Sequence, residues 1–224
     1  MKFTNTDLTT AVSEVTSALQ NSLTNHHVLW LVSGGSCVEP QCEILHALRA
    51  DSLPNLTVML VDERYGAPLH TDSNYAKLVQ AGFQRKGLNF ADILSNNLSL
   101  QETVENFSSA LSNALTSSDY VFATLGLGGD GHTAGILPNS PAVYDTISSA
   151  VGYEWSDFTR ISAGLSVLSR LDEAYVLAFG EAKHDAILRL QQGNELIEQL
   201  PALILCDIGS VTVYNDSIKS EGAT

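Results

Sequence analysis

Positive charge is what this sequence has least of: 11 Lys and Arg stand against 25 Asp and Glu in 224 residues, a formal net charge of -14. Such a field opposes nonspecific attraction to nucleic acid or to an anionic membrane surface. Cysteine is scarce too. Cys37, Cys42 and Cys206 make an odd count with no CxxC spacing, which suits reduced thiols better than a disulfide framework. Long apolar runs are missing: none approaches the roughly 18 residues of a membrane helix, and the best, Val28 to Val32, breaks at Ser33-Gly34. The start, MKFTNTDLTT, has no basic segment followed by an apolar one, so no secretory signal is visible and the expected compartment is the cytoplasm. GxxxxGK[ST], GxSxG and HExxH are also absent, which argues against a nucleotide P-loop, a serine nucleophile elbow and a zinc hydrolase site.

What is there is the composition of a packed protein, 44% hydrophobic and 16% charged, long enough for one substantial core. Leu8, Val12, Val15 and Leu19 recur at helical spacing over the first 25 residues, and a second helix is expected over Val38 to Ala50. Ser73-Asn74 starts a third helix, Leu100 to Leu115 is a long amphipathic one, and Ser166 to Arg170 and Glu181 to Gln191 read as helical. Short apolar runs at Val28–Val32, Leu56–Val61, Tyr120–Leu125, Asp157–Ser162, Ala174–Phe179 and Val211–Tyr214 read as strands, and Pro201 to Cys206 fits either state. This alternation predicts a single α/β domain over residues 1–224, with a mostly parallel central sheet and helices on both faces.

In such sheets ligands gather at the carboxyl ends of the strands, which selects four segments here: Ser33 to Ser36, Asp62 to Arg64, Gly126 to His132 and Gly180 to Lys183. SGGS between strand and helix can present amides to a phosphate, or it is a tight turn with Ser36 as a helix cap. Asp62-Glu63-Arg64 offers a guanidinium suited to an anion, or it is a solvated charge cluster. Gly126, Gly128 and Gly131 formally spell GxGxxG, yet HTAGILPNSP after them has no sustained helical pattern, which argues against a dinucleotide site. His132 is the one histidine of six set in a glycine-rich loop, with Asp130 two residues away to orient it. That pairing favours a general base over a structural histidine. His70, in a loop near Arg64, is a surface residue or a ligand contact. Arg160 and Lys183 fall near strand ends or helix starts, as phosphate contacts or solvated flanks. Cys37 is read as a partly buried, inert thiol.

LVSGGS at 31–36, VDER at 61–64, DSNY at 72–75, LGLGGDGHTAGILP at 125–138, RIS at 160–162 and AFGEAKHDAI at 178–187 together make the chain similar to the 6-phosphogluconolactonase family, related to the glucosamine-6-phosphate deaminases and isomerases. The resemblance implies a Rossmann-like α/β fold, hydrolysis of a sugar-phosphate lactone, no cofactor and no metal. It also implies a phosphate cradle from Gly34, Gly35, Ser36, Arg64 and Lys183, a catalytic His132, and Asp62, Asp130 and Arg160 as ligand or orienting groups, with Asn74 supporting the loop. The expected partner is a small sugar phosphate bound by a monomer, with neither nucleic acid nor membrane. Two places depart from the family resembled and one from the deaminases. Tyr65-Gly66-Ala67-Pro68 stands where Val-Pro is usual, Gly135 where Ser is common, and Leu137 where the deaminases carry a Glu five residues after the histidine.

Overall fold

The computed structural model describes residues 1–88, 90–94 and 97–218. In chain order its elements are β1 (Lys2–Asn5), α1 (Leu8–Asn25), β2 (Val28–Val32), α2 (Val38–Ala47), β3 (Leu56–Leu60), β4 (Asp62–Arg64), α3 (Asn74–Gln80), α4 (Leu100–Ser117) and β5 (Tyr120–Gly126). There follow α5 (Pro141–Tyr144), β6 (Ala150–Glu154), β7 (Thr159–Ala163), α6 (Leu165–Leu168), β8 (Glu173–Ala178), α7 (His184–Gln192) and β9 (Ser210–Asn215). Local chemistry accounts for the helix starts. Asp7 accepts from the Thr10 amide at 2.8 Å to begin α1, and Ser99 and Glu102 form a reciprocal capping box at α4.

Six strands form one all-parallel sheet in the order β1-β9-β8-β5-β2-β3. Successive side chains of a strand point to opposite faces, and the two cores follow that alternation. Leu29, Leu31, Ala123, Leu125, Ala174, Val176 and Val213 pack under α4, α6 and α7 on one face. Val28, Trp30, Val32, Phe122, Tyr175, Leu177 and Tyr214 pack against α1, α2 and α3 on the other. Both faces are buried, which is why these strands read as unbroken apolar runs in the sequence.

Several local expectations are corrected. Lys2–Asn5, assigned to the first helix, is instead an edge strand parallel to β9. Asp62-Glu63-Arg64 is not a loop: it forms β4, antiparallel to β7, and β7 pairs in turn with the unexpected β6. That second, three-stranded sheet, β4-β7-β6, stands apart from the parallel one. It takes in the 157–162 segment that was expected in the main sheet. Pro201–Asp207 is a 3-10 helix.

The chain leaves β2 for β3 on one side and later returns to β5 on its other side. Sheet order therefore reverses between β2 and β5, and the loops leaving the two diverge to open a crevice at their carboxyl ends.

Candidate active site

The loop after β2 is held from inside the core. Gln41, fully buried in α2, accepts from the Ser33 amide (2.8 Å), donates to the Ser33 carbonyl (2.6 Å) and accepts from Thr124 Oγ1 (2.6 Å), which takes a hydrogen bond from Trp30 Nε1 (3.0 Å). The side-chain amide thus continues the strand pairing past the end of β2. Gly35 takes φ +63°, and the 3-10 turn Gly35–Cys37 runs straight into α2. Ser36 is not the cap considered from sequence, since no side chain caps this helix start. Amide groups and helix dipole are left directed at the crevice.

Asp130 and His132 follow β5. Asp130 Oδ1 lies 2.6 Å from His132 Nδ1 and also accepts from the His132 amide at 3.1 Å. Burial pushes the Asp130 carboxyl up, but the hydrogen bond and charge of His132 outweigh it and hold the group at about 2. An ionised carboxylate can only accept, so Nδ1 donates to it, and in a neutral imidazole so held the lone pair falls on Nε2. The glycines around this pair are there for space: a Cβ on Gly128 would lie 2.1 Å from His132 Nδ1, and one on Gly131, at φ +93°, 2.3 Å from Leu200. A brace sequence reading missed supports the loop from behind. Arg189 Nη1 donates to the Asp130 carbonyl (3.2 Å) while Nε and Nη2 grip Glu195 (2.7 Å each).

The second sheet supplies the remaining groups. Asp62 is buried, and its carboxylate is met by Asn74 Nδ2 at 3.1 Å. Burial raises its pKa against the pull of Arg64, His132 and Arg160. Asn74 also reaches under Gly34, where a Cβ would sit 2.0 Å from Asn74 Oδ1, so the first and second loops interlock. Glu63, outside the set of candidates, accepts from the amides of Arg64, Asn74 and Tyr75 and from Ser73 Oγ. It ties β4 to the start of α3. Arg64 Nη1 donates to the Asp72 carbonyl (3.2 Å). His70 Nε2 bonds the Arg64 carbonyl at 2.8 Å, which makes this histidine a loop buttress.

Gly34, Gly35, Ser36, Asp62, Arg64, His132, Arg160 and Lys183 all line one cleft, with Asn74, Gly126, Gly128 and Ala134. Asp130 stands just behind His132. Cys37 is fully buried nearby, and burial pushes its thiol up to about 12, so it is protonated and unreactive. At Gly135 a Cβ would meet those of Ser162 (3.0 Å) and Asp62 (3.1 Å). The glycine there goes with close packing of the wall. Among the described residues there is no group of three or more His, Cys, Asp or Glu arranged to hold a metal, and no helix long and apolar enough to cross a membrane.

The arrangement brings an aspartate-bound imidazole, a glycine-rich turn and three cations to one crevice, and known proteins share its frame. The family described as glucosamine-6-phosphate isomerases/6-phosphogluconolactonase matches residues 4–213. A probable 6-phosphogluconolactonase of Dictyostelium discoideum is 24% identical over 213 residues, covering 91% of this chain and 90% of that protein. A 6-phosphogluconolactonase crystal structure from Shewanella baltica superposes with TM-score 0.82 at 18% identity, covering 96% of this chain and 97% of the other. A monomeric glucosamine-6-phosphate deaminase structure superposes with TM-score 0.79 at 16% identity, over 97% and 98% of the two chains. Fold alone therefore does not separate the two chemistries.

Proposed function

The chain belongs to the glucosamine-6-phosphate isomerase/6-phosphogluconolactonase family, and from that premise we propose that it hydrolyses 6-phospho-D-glucono-1,5-lactone to 6-phosphogluconate, in the oxidative branch of the pentose phosphate pathway. One observation carries the reading: an imidazole oriented by Asp130 opens on the same cleft as the Ser33–Ser36 turn, Arg64, Arg160 and Lys183. The lactone is a cyclic ester with a phosphate at its far end, so it needs a base at one end of the cleft and an anion cradle at the other. Gly34, Gly35, Ser36, Arg64 and Lys183, with Arg160, hold the phosphate and make the attack effectively intramolecular.

His132 Nε2 then takes a proton from water as the oxygen adds to C1. Loop amides or a cation stabilise the oxyanion. The ring C–O bond breaks as the tetrahedral adduct collapses, and the imidazolium returns its proton to the departing ring oxygen. Asp130 keeps the tautomer and balances the imidazolium charge without itself becoming protonated. Asp62, buried between Asn74 and the two arginines, acts as an orienting charge.

The amino-sugar chemistry of the related deaminases is disfavoured at one position. Leu137 occupies the place where those enzymes carry a Glu, it is buried, and it is not part of the cleft wall. Leucine has no proton to move. Proton release from freshly made 6-phosphogluconolactone, measured against spontaneous hydrolysis, tests the proposal. The wild type is expected to accelerate it, and His132→Ala to lose about 10²- to 10⁴-fold in kcat while still binding substrate. Arg64→Ala is expected to raise KM roughly tenfold or more, since it removes binding common to ground and transition states. No acceleration by the wild type, or ammonia release from glucosamine 6-phosphate, sinks the lactonase reading.

A further inference from the structure

Arg64 and Arg160 lie directly opposite each other on β4 and β7. Like charges at such a cross-strand pair destabilise a sheet. Both guanidinium groups lie over the Phe158 ring, at 4.8 Å and 5.5 Å from its centre, and the Nε atoms of both are buried without a hydrogen-bond partner. Arg160 is itself buried, its side chain 8% exposed. Such a pair of donors is built to be completed by an anion. Besides Asp62 in the cleft wall, Arg160 has one direct anionic partner, set at the cleft's edge: Asp157 Oδ2 accepts from Arg160 Nη2 at 2.7 Å, from a carboxylate 48% exposed in the turn between β6 and β7.

We infer that Asp157 is an internal stand-in for the ligand's anion, occupying Arg160 until a phosphate competes for it, and so sets the affinity of the cleft for anions. The inference rests on the proposed phosphate cradle but not on the reaction. Asp157 neutralises one of two facing cations when the cleft is empty, which stabilises the second sheet. The same carboxylate opposes an incoming phosphate, by holding one guanidinium nitrogen and by its charge. Removing that charge therefore has effects of opposite sign: the empty protein loses stability while anion binding tightens. A purely structural Asp157 predicts the same sign for both, because a loosened Arg160 binds less well.

Calorimetric titration of the full chain with inorganic phosphate, and thermal denaturation without it, read the two effects. Asp157→Asn is expected to bind phosphate about two- to fivefold more tightly than wild type, the scale of one partly exposed ion pair, and to melt at a lower temperature. In an Arg160→Met background the gain is expected to vanish. Unchanged or weaker phosphate binding by Asp157→Asn, or a gain that persists without Arg160, overturns the inference. Should Asp157→Asn fail to fold, Asp157→Ser keeps a turn-forming side chain and carries the same test. A wild type that binds phosphate but does not hydrolyse the lactone would remove the proposed reaction and leave this inference intact.

Discussion

At the scale of single residues the site depends on space and on charge. Gly128→Ala would drive a methyl group into the Asp130–His132 pair. A displacement of that order is expected to lower kcat about 10²-fold with the fold retained, checked by steady-state kinetics beside circular dichroism. The two aspartates of the site carry opposite pH signatures. Burial raises the Asp62 carboxyl above 3.8, so its contribution favours the fold below the unfolded pKa and is lost as pH rises through the folded one. Asp62→Asn is therefore expected to be more stable than wild type at pH 7, with the advantage gone below about pH 4. Asp130, held at about 2, behaves in reverse: its contribution is present above about pH 4 and fades as pH falls toward that lower value. Being half exposed, it contributes modestly, and Asp130→Asn is expected to be slightly less stable at neutral pH only. Urea denaturation at pH 7 and at lower pH measures both, and parallel curves for either variant would contradict its assignment.

Among elements, β4 shows what charge alone conceals. Glu63 joins the strand to α3 through three accepted hydrogen bonds and takes a fourth from the Arg64 amide within β4, and Glu63→Ala is expected to cost about 3 kcal/mol or more, because buried donors lose their acceptor. Chemical denaturation gives that number directly. Sequence reading found the parallel sheet because strands buried on both faces print as apolar runs, and it found the loops after β2, β5 and β8 because they end those runs. It missed β1 and β6 because KFTN and AVGYE are short, polar or glycine-broken, with nothing to distinguish them from loop. DER reads as a charge cluster for the same reason, although Arg64, His132, Arg160 and Lys183 do converge on one cleft. Gln41 reaches Thr124 and Arg189 reaches the Asp130 carbonyl across 83 and 59 residues, and Glu63 serves amides 11 and 12 positions on. No local pattern in their neighbourhoods announces that.

For the whole molecule, a net charge of -14 surrounds a cleft that holds two arginines and a lysine. An anionic substrate is repelled at long range and attracted at short range. Since the Debye length falls from about 30 Å at 0.01 M salt to about 10 Å at 0.1 M, moderate salt screens the repulsion first. kcat/KM is expected to rise and then fall as sodium chloride is added, and a monotonic fall would mean that the local cations dominate throughout. The parallel pairing of β1 with β9 bears on biosynthesis. Residues 2–5 are synthesised long before β9, the strand they join among the described residues, so that border of the sheet cannot close until β9 has been made. A nascent product halted before β9 exposes the unpaired backbone of β8, an adhesive rim by which a chaperone or another unfinished copy can seize it.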